Sequence, residues 1–280
     1  MENIKTELTR EDLRQAQKIM LYIMKRIHAV CVEHNIKYWL DYGTLLGAIR
    51  HDGFIPWDDD MDICMMREDY EKFCKIAPTA LGEEFFWQTK DTDPAFWPEM
   101  GKVRLNDTVW LERGWAAVPL LNKGFFVDIF PIDPFPESKL KAICLTKKIK
   151  LYNTLLLYKI NHLCTPKKIK KLITIVFSAF TIKKCLINYL GKTVKKLNSL
   201  SGKTTMVSKI FDTSVSNWTN RDVLDKVVLK KFEDTEFFIP EKYDTRLKQI
   251  FGDYMKLPPE DKRYGHHNVI CFNFGKYNFK

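Results

Sequence analysis

Three features of the sequence predict an α+β core carrying an inserted, basic helical subdomain. Helix-period and strand-period apolar patterns interleave from the N-terminal region onward. From Lys139 to Phe211 the apolar residues take up helical spacing among lysines, and strand patterns return near Val227. The chain therefore divides into a core segment at 1–138, a Lys-rich helical insertion at 139–211, and a C-terminal part at 212–280 that completes the core. With 280 residues, 45% hydrophobic and 13% aromatic, it can bury a sizeable core, which excludes a disordered chain. The 12 Gly and 12 Pro follow no period, which excludes collagen-like and solenoid architectures.

The elements follow in order. Thr9 is an N-cap with Asp12 three residues on, and Leu13, Ala16, Met20, Ile23, Met24, Ile27, Val30 and Cys31 recur at three and four, so an amphipathic helix should run to about Asn35. Tyr38 to Tyr42 reads as a strand, Gly43 and Thr44 as a turn, and Leu45 to Arg50 as a short helix. After a loop at 51–59, Asp60 to Met66 reads as a strand and Arg67 to Ile76 as a helix. Further strands are expected at 85–89, 101–105, 124–130, 227–232 and 236–239, with a helix at 242–251.

Seven cysteines form no CxxC pair and no Cys/His ligand spacing, so no zinc module is expected. The charged start, MENIKTELTREDLR, lacks the apolar stretch of an export signal, and a cytoplasmic location is expected. The longest strongly apolar run, Leu172 to Ile182, is well short of the roughly 20 residues that span a bilayer. The net charge of +10 is unevenly distributed. Residues 139–211 hold 17 lysines and no Asp, Glu or Arg, leaving the rest at −7. Such lysines either solvate an outer helical face or meet an anionic membrane surface. Nucleic acid is disfavoured, because the stretch has no Arg for forked phosphate contacts and no aromatic-Gly motif for stacking.

The chemistry concentrates in YWLDYGTLLGAIRHDGFIPWDDDMDICMM, residues 38–66. Asp60 and Asp62, two apart on the expected strand, would leave one face with Cα atoms about 7 Å apart. Asp58, Asp59, Asp60 and Asp62 repel one another unless a cation sits among them, and paired hard oxygens suit Mg²⁺. The plain alternative is a solvated acidic loop. Against it, Gly43-Thr44 can present backbone N–H groups to a phosphate, and Asp on a strand otherwise apolar is expensive unless used. Asp128, in GFFVDIFPID, sits among five apolar neighbours and is either buried against a partner or turned into a cleft.

A helix, a strand entering Gly-Thr, a short helix, a strand bearing alternating Asp and a later strand with one Asp between apolar residues resemble the nucleotidyltransferase superfamily, with its polymerase-beta-like mixed sheet. More closely, YGTLLGAIRHDGFIPWDDDMDI, KVRLNDT, GFFVDIFPID and FGDYMKLPPEDKRYGHH resemble blocks of the LicD family and its relatives fukutin and fukutin-related protein. The likeness covers about 10–135 and 225–270, and the basic middle least. It implies a phosphotransferase moving phosphocholine from CDP-choline to a glycan hydroxyl with release of CMP. Other CDP-alcohols are the alternative donors, and a terminal nucleotide-adding enzyme is the more distant reading. The implied cofactor is Mg²⁺, as two ions, with Mn²⁺ as a substitute. The resemblance implies as acceptor a cell-surface glycan precursor, lipid-linked in one version, which together with the lysine belt suggests the inner face of the cytoplasmic membrane.

By the same resemblance, Gly43 and Thr44 grip the donor phosphate, while Asp60, Asp62 and Asp128 are the catalytic, metal-binding carboxylates. Arg50 and Arg104 are candidate diphosphate clamps, with ordinary ion pairing as the alternative. His266 and His267 are candidates for donor contact or a structural hydrogen bond. Fifteen residues separate Thr44 from Asp60, slightly more than in many nucleotidyltransferases, which leaves Asp58 as ligand, supporting partner or loop residue. Choline would need a cation–π contact, for which Tyr42, Trp57, Trp110 and Trp115 lie near the motif blocks.

Overall fold

The computed structural model describes residues 4–116, 118, 120–161, 183–210, 214–265, 268–277 and 279. The helices, numbered here in chain order, are α1 (Arg10–Glu33), α2 (Tyr42–Arg50), α3 (Arg67–Ala80), α4 (Lys139–Asn161), α5 (Lys183–Asn198) and α6 (Tyr243–Phe251). The strands are β1 (Trp39–Leu40), β2 (Asp62–Met66), β3 (Phe85–Gln88), β4 (Gly101–Leu105), β5 (Val109–Glu112), β6 (Phe126–Pro134), β7 (Met206–Lys209), β8 (Thr219–Asn220), β9 (Val227–Phe232), β10 (Thr235–Pro240) and β11 (Val269–Asn273).

The expected capping box starts α1: Thr9 Oγ1 accepts from Asp12 N at 3.1 Å, and Thr9 N donates to Asp12 Oδ2 at 3.2 Å. Its stripe of Ala16, Ile19, Met20, Ile23, Met24 and Ile27 is fully buried. A mixed seven-stranded sheet runs β1-β2-β6-β4-β3, with β7 added to β6 and β8 to β7. β6, buried along all nine residues, is its axis. One edge pairs in parallel with β2, and the other pairs antiparallel first with β4 and then with β7.

Alternation along the strands gives the sheet two apolar faces. Ile63, Met65, Val127 and Ile129 pack into the α1 core. Cys64, Met66, Phe130 and Ile132 point the other way, toward Trp39, Phe96, Met100 and Leu121. A third cluster joins Ile149, Leu155 and Leu156 of α4 to Leu186, Leu190 and Val194 of α5 and to Trp97. β9 and β10 form a hairpin, and β11 pairs with β5. Among the described residues no helix is long and apolar enough to cross a membrane.

Two expectations shift. The strand expected from Asp60 begins at Asp62, because Asp60 precedes the ladder that β2 forms with β1 and β6. Residues 206–209, grouped with the helical insertion by their lysine content, form β7 of the central sheet, where Val207, Ser208 and Lys209 pair with Pro134, Asp133 and Ile132 of β6.

Candidate active site

The site forms where the start of β2, the first turn of α2, the middle of β6 and the end of β7 meet. Asp62 and Asp128 are directly opposed partners in the parallel β2–β6 ladder, so the pleat sends both side chains to the same face. Thr44 is buried and its hydroxyl accepts from Asp62 N at 2.8 Å, fastening the first turn of α2 to the start of β2. Gly43 lies against Asp58: a Cβ there would stand 2.9 Å from Asp58 Oδ2. The N–H groups of a helix's first turn have no intrahelical acceptor and attract anions. Tyr42, which opens this turn, has a left-handed backbone at φ 50°, and its hydroxyl donates to Asn217 Oδ1 at 2.7 Å.

Asp60 leaves the loop just before β2, and it and Asp62 line the same cleft. Asp58, Asp59 and Asp60 bring ligand oxygens within 4.8 Å of one another, with Asp58 and Asp59 buried. The C-terminal segment closes over this group, since a Cβ on Gly265 would lie 2.4 Å from Asp59 Oδ2. Burial pushes the Asp62 carboxyl well above its ordinary pKa; Asp60, Asp128 and Asp58 push it further, and Lys209 opposes them. An excess of hard, mutually repelling oxygen donors is the donor set that a divalent cation satisfies, and these residues fit Mg²⁺.

A cleft of about 670 Å³ opens in front of the carboxylates. Gly43, Arg50, Asp58, Asp60, Asp62 and Lys209 line it, with Tyr42, Trp57 and the segment after α6 completing its wall. Arg50 stands where a clamp would be useful, donating to Tyr254 O at 2.9 Å and His51 Nε2 at 3.0 Å; burial lowers its pKa, and Arg263 adds to the effect. Arg104 does not reach the cleft. It is buried, and its guanidinium donates to Gln88 Oε1 at 2.5 Å and Gly124 O at 2.6 Å. The cation beside Asp128 is Lys102, two residues before Arg104 on β4 and opposite Asp128 in the β4–β6 ladder, with Nζ 2.7 Å from Asp128 Oδ1 but not aligned as a hydrogen bond. His266 and His267 lie outside the described residues.

The aromatic candidates separate as well. Tyr42 and Trp57 face the cleft, while Trp110 is buried against Phe125 and Phe272, and Trp115 stacks on Phe96. Both cleft rings already carry cations: Lys209 Nζ lies 4.0 Å from the Tyr42 centroid, and the Arg263 guanidinium 5.6 Å from that of Trp57.

Sequence reasoning missed three residues that build the site. Lys209 is buried between Tyr42 and Phe130, 3.7 Å from the latter ring, and is one lysine among 17 by composition. Its pairing with Ile132 of β6 separates it from its neighbours, and MVSK carries no local signal of that. Asp41, the N-cap of α2, makes a fully buried bidentate pair with Arg246 of α6, at 3.0 and 2.7 Å. Burial lowers the Arg246 pKa, but the charge and hydrogen bonds of Asp41 overcome this and raise it. An Asp before Gly-Thr on an apolar strand was visible at position 41, but its partner 205 residues away was not.

Comparison with known proteins agrees with this geometry. The family described as LicD/FKTN/FKRP, nucleotidyltransferase domain, matches residues 35–152, which contain β1 through β6 and all five carboxylates. The lipopolysaccharide cholinephosphotransferase LicD of Haemophilus influenzae is 31% identical over 275 residues, covering 91% of this chain and 96% of that protein. The human ribitol 5-phosphate transferase FKRP is 39% identical over 57 residues, 20% of this chain and 11% of its own. With the mixed sheet, the α2 turn and the carboxylate cleft in place, the chain belongs to the LicD family and carries its nucleotidyltransferase domain.

Proposed function

We propose that this cleft transfers phosphocholine from CDP-choline to a hydroxyl of a cell-surface glycan precursor and releases CMP. The observation that carries the reading is the pairing of Asp62 with Asp128 across β2 and β6, with Asp62, Asp60 and Lys209 lining one cleft. The near full-length likeness to a cholinephosphotransferase supports the donor. In the reaction the acceptor oxygen bonds to the phosphorus that bears choline, the bond from that phosphorus to the CMP oxygen breaks, and a phosphodiester forms.

The first turn of α2, with Gly43 allowing close approach, binds the donor phosphate. Lys209 and Arg50 offset charge on the departing CMP. Asp128 takes the proton of the attacking hydroxyl, and Lys102 offsets the charge of that carboxylate. Asp58, Asp59, Asp60 and Asp62 would hold Mg²⁺, which when bound polarises the diphosphate and makes the hydroxyl more acidic. Transfer of a phospho-polyol is the second reading, favoured by the 57-residue match to a ribitol 5-phosphate transferase. The cations already seated on Tyr42 and Trp57 leave choline recognition without a vacant ring among these two. The reading assigns the reaction to the cytoplasm, peripheral to the membrane, and the lysine-rich 139–211 stretch supports this.

The test incubates the protein and Mg²⁺ with CDP-choline, CDP-ethanolamine, CDP-glycerol and CDP-ribitol and follows CMP. Release from CDP-choline that EDTA stops, and that Asp62→Asn and Asp128→Asn abolish without loss of folded structure, is the expected result. Release from CDP-ribitol alone transfers the assignment to the second reading. Undiminished turnover in either variant rejects the catalytic roles.

A further inference from the structure

A second cavity, of about 650 Å³, shares no lining residue with the carboxylate cleft. It lies between α4, α5 and the loop that leads to β7. Lys141 and Lys148 reach it from α4, Lys196 from α5 and Lys203 from the loop. Four ammonium groups around one hollow repel one another, and no Asp or Glu occurs anywhere in 139–211 to relieve them. The one carboxylate lining the cavity, Glu137, accepts from Thr205 N at 3.0 Å and from the Thr205 hydroxyl at 3.2 Å, and it offsets one of the four charges, leaving an excess of three.

The lining is also apolar. Leu145, Leu197 and Leu200 contribute to it, and Lys148 Nζ stands 4.8 Å over the ring of Tyr189, which stacks on Tyr152 at 4.0 Å. On the same helix, Leu140 and Leu151 are 82% and 53% exposed. An occupant that suits all of this carries negative charge at one end and hydrocarbon at the other. The cations are all lysines, compact charges that meet a phosphate without the forked geometry needed to read a base.

We propose that this cavity binds the phosphate of an anionic lipid, with Lys141, Lys148, Lys196 and Lys203 around the headgroup and the leucines along its apolar part, and so docks the insertion on a bilayer surface. The inference does not depend on which CDP-alcohol the cleft uses.

The test uses the full chain and sedimentation with vesicles of phosphatidylglycerol in phosphatidylcholine, against phosphatidylcholine alone. Binding only to the anionic vesicles is expected, with Lys148→Ala/Lys196→Ala weakening it roughly thirtyfold, from about fivefold for each lysine near a headgroup. The control Lys75→Ala/Lys231→Ala removes the same charge from exposed positions outside the cavity and should retain most of the binding. Circular dichroism of both variants should match the parent, and CMP release in the absence of vesicles should be unchanged. Equal loss in the control overturns the cavity assignment by reducing it to net charge. A thermal shift with glycerol 3-phosphate that the cavity variant abolishes, without vesicle binding, makes the ligand a soluble phosphate and overturns the lipid. Retention on single-stranded RNA but not on vesicles overturns it equally.

Discussion

At the scale of single residues, the pair Asp41–Arg246 shows how a buried charge depends on its partner. Both side chains are almost wholly inaccessible, and among the described residues Asp41 is the carboxylate that Arg246 pairs with. Arg246→Ala would strand the Asp41 charge beneath the first turn of α2, and we expect a loss of about 3–5 kcal/mol in urea unfolding. His28 supplies a pH dependence. Its ring nitrogen is 2.6 Å from the Tyr38 hydroxyl, and burial holds its pKa below the ordinary value. The unfolded chain then binds a proton that the folded chain resists, so the contribution of His28 is complete above the unfolded pKa of about 6.5 and is lost as pH falls through the lower folded value. Melting temperatures recorded from pH 7.5 down to pH 5 should fall more steeply for the parent than for His28→Gln.

At the scale of elements, the ladders carry constraints that composition does not express. Gly101 opens β4 under the Trp87 ring of β3, and a Cβ would lie 2.0 Å from that ring. Gly101→Ala must displace a buried indole, so a loss of about 1–3 kcal/mol is expected, read as a lower urea midpoint at unchanged slope. The elements whose signals are local were legible: the capping box and stripe of α1, the β4 run at 101–105, and the strands β9 and β10, though not their pairing. The apposition of Asp62 and Asp128 was legible through the resemblance of their motifs. The start of β2 was not, because alternation of Asp with apolar residues continues into the loop, whereas only pairing with β1 and β6 says where the strand begins. β7 was hidden by its lysine, and the unreachability of Arg104 by its place in a motif block. Each of these depends on a neighbour distant in the chain.

At the scale of the whole molecule, the cleft draws on α2, the acidic loop, β2, β7 and the segment after α6, so a ligand bridging these parts should stabilise the fold. Millimolar Mg²⁺ is expected to raise the melting temperature of the parent and to leave Asp60→Asn nearly unchanged, with EDTA reversing the shift. A rise of equal size in the variant would remove Asp60 from the ion's ligands. The loop and strand from Lys203 to Lys209 join the two cavities described above: Lys203 lines the one and Lys209 the other. Six residues of extended chain reach at most about 20 Å. Were the proposed headgroup contact made at Lys203, the carboxylates would stand at a bounded height above the bilayer, and the protein would act as a ruler, selecting acceptor hydroxyls by how far they stand from that surface.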